Sequence, residues 1–103
     1  MRNSVMLIGV AKSNVIEDEH TGDSSFYLKV IEPANNGKSE IEMYVEIWST
    51  NPMLKEKMRK QIKFGDQIAV DGALRIVQTR QNTALRLVSI ELNDFFRINK
   101  RKD

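Results

Sequence analysis

Apolar and polar side chains alternate most regularly between Ile41 and Trp48. A period of two predicts a β-strand with two unlike faces. We predict that one face packs in a core and is formed by Ile41, Met43, Val45 and Ile47. The other face carries acids and two large aromatics, Glu42, Tyr44, Glu46 and Trp48. This segment is the third of five predicted strands.

The other four strands are predicted over residues 3–12, 25–31, 67–77 and 84–92. Glycines inside strands mark bulges or bends, so we predict a bulge or bend at Gly9 in the first strand and another at Gly72 in the fourth. In the fourth strand we expect the inward side chains to be Ile68, Val70, Leu74 and Ile76. Polar and turn-forming residues at 17–24, 33–37 and 81–82 separate the strands.

One amphipathic helix is predicted after the third strand. Asn51 is a favourable N-cap, and Pro52 suits the first helical position. Leu54, Met58 and Ile62 recur every four residues and predict a narrow apolar stripe. Gly65 is expected to end the helix.

The order of elements predicts an all-β fold with one helix. Five short strands with an α-helix between the third and fourth describe a five-stranded oligonucleotide/oligosaccharide-binding (OB) barrel, although other small β-rich folds share this count. The OB domain is predicted over residues 1–96. Residues 97–103 are predicted to form a basic, flexible tail.

Length, cysteine content and charge narrow the function classes. The chain has 103 residues, which suits one domain, and it has no cysteine. Disulfides and thiol chemistry are thereby excluded, and a cytoplasmic location without a signal or membrane segment is expected. Residues 1–52 contain four basic and eight acidic side chains, whereas residues 53–103 contain twelve and six. A basic second half is compatible with a polyanionic partner, but from charge alone a solvated helix face and a charged tail are the favoured explanation.

Aromatic side chains on polar strand faces are the candidate binding residues. Trp48, Tyr44 and Tyr27 are predicted to point outward, where rings can stack on bases of any sequence. For Trp48 the alternative is burial under the helix or at one barrel end. Phe26, Phe64 and Phe95 are interpreted as core or barrel-plug residues. The cations predicted to contact phosphates are Lys12, Lys29, Arg75, Arg80 and Arg86. Glu42 and Glu46 count against a uniformly positive groove.

The sequence offers little for catalysis or metal binding. His20 is the only histidine, and it lies among Glu17, Asp18, Glu19 and Asp23. A solvated loop is favoured there over a divalent-cation site. No phosphate-binding glycine motif or nucleophile elbow is present. We therefore predict no enzyme activity and no cofactor.

Three segments resemble the bacterial single-stranded DNA-binding protein family. They are residues 3–9 (NSVMLIG), 42–48 (EMYVEIW) and above all 64–75 (FGDQIAVDGALR). The resemblance implies an OB fold, a homodimer or homotetramer formed through the first strand, and sequence-independent binding of single-stranded DNA without catalysis. It further implies a role in replication, recombination or repair at the nucleoid, and stacking of a base on Trp48.

The chain departs from the family in two places. Thr79 and Arg80 stand where a tryptophan is common in the family. Family members also have a Gly/Pro-rich linker followed by an acidic tail, whereas this sequence has the basic residues 100–103 (KRKD) at that place. A related interpretation is therefore a primosomal replication-restart component, an OB-fold adaptor that contacts replication proteins and binds nucleic acid weakly. Binding of RNA is a further alternative.

Overall fold

The computed structural model describes residues 3–32, 41–78 and 86–99. Within these ranges, the backbone alone is described for Ile31, Glu32, Ile41, Val77, Gln78, Arg86, Leu87 and Asn99. The elements are β1 (Val5–Ala11), β2 (Ile16–Glu17), β3 (Ser24–Glu32), β4 (Ile41–Ser49), α1 (Pro52–Gln61), β5 (Gln67–Gln78) and β6 (Arg86–Asn99).

The five long strands close into a barrel. The strand order is β1-β5-β6-β4-β3-β2, and an additional pairing of β1 with β3 joins the two sides. All pairings are antiparallel except that of β4 with β6, which is parallel. The two-residue strand β2 adds to β3. Apart from this short strand, the prediction of a five-stranded OB barrel with one helix after the third long strand is confirmed.

Two glycines allow strands to approach closely where the barrel bends. A Cβ atom at Gly9 would lie 2.4 Å from the carbonyl oxygen of Lys29, close to where β1 begins to pair with β3. At Gly72, a Cβ would lie 2.5 Å from the carbonyl oxygen of Glu91, and the β5–β6 register shifts between Asp71 and Gly72. The predicted irregularity at Gly72 is thus a register shift that leaves Asn93 of β6 without a ladder partner, whereas the β1–β5 register is unbroken at Gly9, which serves a close backbone contact.

The core lies inside the barrel. Side chains from all five long strands and the helix form it: Ala11, Phe26, Leu28, Val45, Ile47, Met58, Ile62, Ile68, Val70, Ile90, Leu92 and Phe95. The expected burial of Val45 and Ile47 on β4, of Ile68 and Val70 on β5, and of Phe26 and Phe95 is confirmed. Burying a large aliphatic or aromatic side chain stabilises a fold by roughly 1.5–3 kcal/mol, so these residues dominate its stability.

Three residues predicted to be in the core are exposed instead. Met43 on β4 is 48% exposed, and Leu74 and Ile76 on β5 are 36% and 64% exposed. The pairing of β1 with β5 ends at Gly72, and its pairing with β3 ends at Lys29. Beyond these points the β3–β4 and β5–β6 hairpins continue as ribbons that the barrel no longer covers. The side chain of Ile41, also predicted to be in the core, lies outside the described residues.

The helix begins as predicted and ends earlier. The Asn51 side chain accepts hydrogen bonds from the backbone amides of Met53 at 2.9 Å and Leu54 at 3.1 Å. The helix ends at Gln61 rather than at Gly65, because Ile62 adopts an extended conformation and is buried in the core. Gly65 instead occupies a turn with φ of 92°, and its amide donates to the carbonyl of Ala11.

The last strand is longer than predicted. β6 extends to Asn99 and therefore includes Arg97, the first residue of the predicted tail. The Arg97 side chain lies 3.8 Å from the buried carboxylate of Asp66. Residues 100–103 lie outside the described residues. In the described parts of the chain, no helix combines the length and apolar character required to cross a membrane.

Candidate nucleic-acid interface

The outer surfaces of four paired strands form one continuous face. Across β3, β4, β6 and β5, Tyr27 pairs with Glu46, Glu46 with Ser89, and Ser89 with Arg75. One step away, Trp48 pairs with Glu91, and Lys29 pairs with Tyr44. We call this surface the aromatic face; it consists of Tyr27, Lys29, Glu42, Tyr44, Glu46, Trp48, Arg75, Ser89 and Glu91.

Three rings lie on the aromatic face, and their exposure differs. Tyr44 is 58% exposed and Tyr27 is 47% exposed, so both present open ring surface. Trp48 is half-buried, and its indole Nε1 donates a hydrogen bond of 2.9 Å to Oγ of the buried Ser89. That hydrogen bond ties the indole to the strand surface rather than to the barrel interior. The two tyrosines are therefore more accessible than the tryptophan that the sequence favoured.

Both described cations on the aromatic face are in ion pairs. Lys29 Nζ lies 3.0 Å from Glu42 Oε1, and its side chain is only 17% exposed. Arg75 Nε donates to Glu91 Oε1 at 2.9 Å. With Glu46, the described residues of this face carry three carboxylates and two cations. The face is consequently not positive, as Glu42 and Glu46 had suggested.

Lys12 borders the aromatic face. Its amide donates to the carbonyl of Tyr27 at 2.8 Å, so the pairing of β1 and β3 continues one residue beyond β1. Its Nζ lies 5.6 Å from the ring centroid of Phe64, a distance at which a cation–π attraction operates. Phe64 is 58% exposed, so its interpretation as a core or plug residue is wrong. It lies in the turn between α1 and β5.

The remaining two predicted cations are Arg80 and Arg86, and the structure describes only the backbone of Arg86. Arg80 lies outside the described residues. Arg86 begins β6 opposite Gln78, which places its backbone on the β5–β6 ribbon, but its side chain also lies outside the described residues. Of the eight predicted binding residues, the structure thus brings six onto or beside one surface, five of them being Lys12, Tyr27, Lys29, Tyr44 and Trp48. Arg75 joins them from β5.

Comparison with known proteins shows which solved structures share this fold. No protein-family model and no curated protein sequence matches the chain. Solved structures do match over nearly the whole length. A small single-stranded DNA-binding protein from Mycoplasma pneumoniae superposes with a TM-score of 0.72 at 21% identity, with 100% of both chains covered. The fold is that of the single-stranded DNA-binding proteins.

Two further structures with this single-stranded DNA-binding fold come from distant sources. The Plasmodium falciparum protein, solved in complex with single-stranded DNA, has a TM-score of 0.76 at 20% identity and covers 96% of both chains. A protein from Streptomyces coelicolor gives 0.72 at 18% identity with 94% coverage of both. At such identities the shared property is the fold.

An apolar groove beside the aromatic face was not predicted from the sequence. It has a volume of 430 Å³, and Tyr44 is one of its lining residues. Its other lining residues are Val5, Leu7, Met43, Val45, Leu74, Val88 and Ile90. The sequence pattern assigned several of these side chains to the core because alternation alone does not show where a barrel ends and a ribbon begins.

The acidic loop around His20 forms a turn held by the Asp18 side chain. The Asp18 carboxylate accepts hydrogen bonds from the amides of His20 at 2.8 Å and Thr21 at 3.1 Å. These hydrogen bonds, first that of Thr21 and then that of His20, lower the pKa of Asp18 below its usual value. Within residues 3–32, 41–78 and 86–99, no group of three or more metal-ligating side chains is close enough to hold an ion.

Proposed function

We propose that this protein binds single-stranded DNA without sequence preference and without catalysing a reaction. The observation that carries the proposal is the pair of open rings, Tyr27 and Tyr44, on the outer face of an OB barrel. Every base has a π-face, so a ring on such a surface can stack on any nucleotide. Stacking contributes roughly 1–3 kcal/mol per base, and Trp48 would add a third ring at the same surface.

Phosphate contacts are proposed to come from the basic side chains around these rings. Lys12 borders Tyr27, while Lys29 and Arg75 lie on the aromatic face itself. Arg80, which lies between β5 and β6 in the sequence, and Arg86, at the start of β6, complete the proposed set. Guanidinium groups at such positions can pair with phosphate or stack on bases.

We propose that the protein acts as a homodimer or homotetramer through β1, in DNA replication, recombination or repair at the cytoplasmic nucleoid. Met6 and Ile8 support the oligomer, because both are more than half exposed on the outer side of β1. Apolar side chains of this size on one strand are typical of a surface that a partner covers. Molar mass measured by light scattering over a concentration series tests this part.

A second candidate function is a protein–protein adaptor with weak affinity for nucleic acid. Its support is the charge of the aromatic face, where Glu42, Glu46 and Glu91 outnumber the two described cations. Carboxylates beside the rings repel phosphate and would suit a basic protein segment. Such an adaptor would contact replication proteins, as a primosomal component does.

A side-by-side titration separates the two candidates. Oligo-dT, oligo-rU and a duplex of equal length are added at low salt while Trp48 fluorescence is recorded; it is the only tryptophan. Single-strand binding is expected to quench the indole and to exceed duplex binding, and the rU arm reports the choice between DNA and RNA. An unchanged signal and unchanged electrophoretic mobility with oligo-dT would remove the primary proposal and favour the adaptor.

Alanine variants test whether oligo-dT binding depends on the rings of the aromatic face. Tyr44→Ala is expected to weaken oligo-dT binding about fivefold to a hundredfold, the equivalent of one lost stacking contact. Met53→Ala provides a control because Met53 is a large, 83% exposed side chain that lies on α1, away from the aromatic face. Equal losses in the two variants would contradict the assignment of the aromatic face.

A further inference from the structure

Each described cation of the aromatic face forms an ion pair with a carboxylate of the same face. Lys29 on β3 reaches Glu42 on β4 at 3.0 Å, and Arg75 on β5 reaches Glu91 on β6 at 2.9 Å. Each pair joins two neighbouring strands, and each lies beside a ring: Lys29 is the cross-strand partner of Tyr44, and Glu91 that of Trp48.

We propose that Glu42 and Glu91 compete with phosphates for Lys29 and Arg75 and thereby limit how strongly and how salt-dependently a single strand is bound. This inference rests on the proposed function. The acceptor for both cations would be the phosphodiester backbone of the strand that stacks on Tyr27, Tyr44 and Trp48.

The competition follows from geometry and charge. A cation that stays with its carboxylate neutralises no phosphate and releases no counterion from the nucleic acid. A cation that changes partners leaves a bare carboxylate next to a polyanion. In both cases the favourable electrostatic contribution is smaller than that of a free lysine or arginine. Stacking then supplies a larger share of the affinity, and stacking depends little on salt.

Glu46 offers an internal comparison. It lies on the same face between Tyr27 and Ser89, nearer the middle than Glu42. Among the described residues, the ion pairs of this face join Lys29 to Glu42 and Arg75 to Glu91, and neither of them includes Glu46. Removing its charge would change the general field at the face without releasing a cation.

The experiment measures oligo-dT affinity over a salt series for wild type, Glu42→Gln, Glu91→Gln, the double variant and Glu46→Gln. Glutamine keeps the shape of the side chain and removes the charge. We expect each of the first two variants to bind up to about fivefold more tightly, since exposed ion pairs are weak. Each should also steepen the log–log salt slope by up to about 0.7. Glu46→Gln is expected to give a smaller gain and an unchanged slope.

A double-mutant cycle tests whether Glu42 acts through Lys29. In a Lys29→Met background, Glu42→Gln is expected to lose its effect on both affinity and slope, because no cation remains to be released. A gain that persists in that background would overturn the inference. Thermal unfolding of each variant verifies that the barrel is intact.

The outcomes separate this inference from the proposed function. If wild type binds and the Glu42 and Glu91 variants match it, or match Glu46→Gln, the inference is wrong and the binding function stands. If wild type does not bind at low salt but the double variant does, the carboxylates are the restraint and the proposed function is wrong. If neither protein binds, both are wrong.

Discussion

Replacing Gly9 by alanine tests how the barrel closes. The new Cβ would lie 2.4 Å from the carbonyl oxygen of Lys29 and 2.9 Å from Cγ of Leu28. The Leu28 side chain can adjust, but the Lys29 carbonyl belongs to β3 and cannot rotate away. Overpacking of this kind costs about 1–3 kcal/mol. At about 4 °C per kcal/mol for a chain of this length, Tm should fall by about 4–12 °C.

The control for this variant is Gly22→Asn. Gly22 has a φ of 78°, which asparagine tolerates, and a Cβ there would meet nothing within 4 Å. Because a side chain at this φ is somewhat strained, we expect its Tm to fall by no more than about 4 °C, the equivalent of about 1 kcal/mol. Calorimetry of both variants decides the matter. If the Tm of Gly9→Ala equals that of wild type, or exceeds that of Gly22→Asn, the close approach of β1 to β3 is not what closes the barrel.

The same variant should also bind oligo-dT more weakly. The reason is that β3, which the new Cβ would displace, carries Tyr27 and Lys29.

Three further variants test local interactions. Asn51→Ala removes the helix cap and should lower the free energy of unfolding in urea by about 1 kcal/mol. Ser89→Ala leaves the Trp48 indole N–H without its acceptor; a loss of about 1 kcal/mol and a shifted tryptophan emission are expected, and an unchanged spectrum would contradict the hydrogen bond. The Lys57 ammonium, with help from the Phe95 amide, holds the pKa of Asp94 below its usual value. Asp94 should therefore contribute stability above about pH 4 that disappears as the pH falls through its folded pKa. Because Asp94 is exposed, Asp94→Asn should cost less than about 1 kcal/mol at pH 7 and nothing near pH 2, as measured by urea unfolding at both values.

Local features of the structure could be predicted from the sequence because short-range chemistry determines them. The alternation at residues 41–48 placed Tyr44 and Trp48 on the face opposite Val45 and Ile47, and Asn51 capped the helix. Both follow from the geometry of a few consecutive residues. The order of strands and helix, compared with known architectures, then sufficed for the barrel.

Other features depend on contacts between distant residues and were not predicted. Met43 and Ile76 continue the apolar pattern of their strands, but β1 ends before it can cover them. The ion pairs of Lys29 and Arg75 depend on the register between strands. Nothing in the local sequence around Lys29 shows that Glu42, thirteen residues away, will lie 3.0 Å from it. The sequence therefore named candidate residues of the site, but the ion pairs among them required the structure.

The central claim is that single-stranded DNA lies on the aromatic face, and amide chemical-shift mapping with oligo-dT tests it most directly. Shifts are expected on β3 and β4 around Tyr27, Tyr44 and Trp48, and to be small for Lys57 and Arg59 on the helix. Saturable shifts centred on the helix, or none on β3 and β4 at an oligo-dT excess in low salt, would contradict the account.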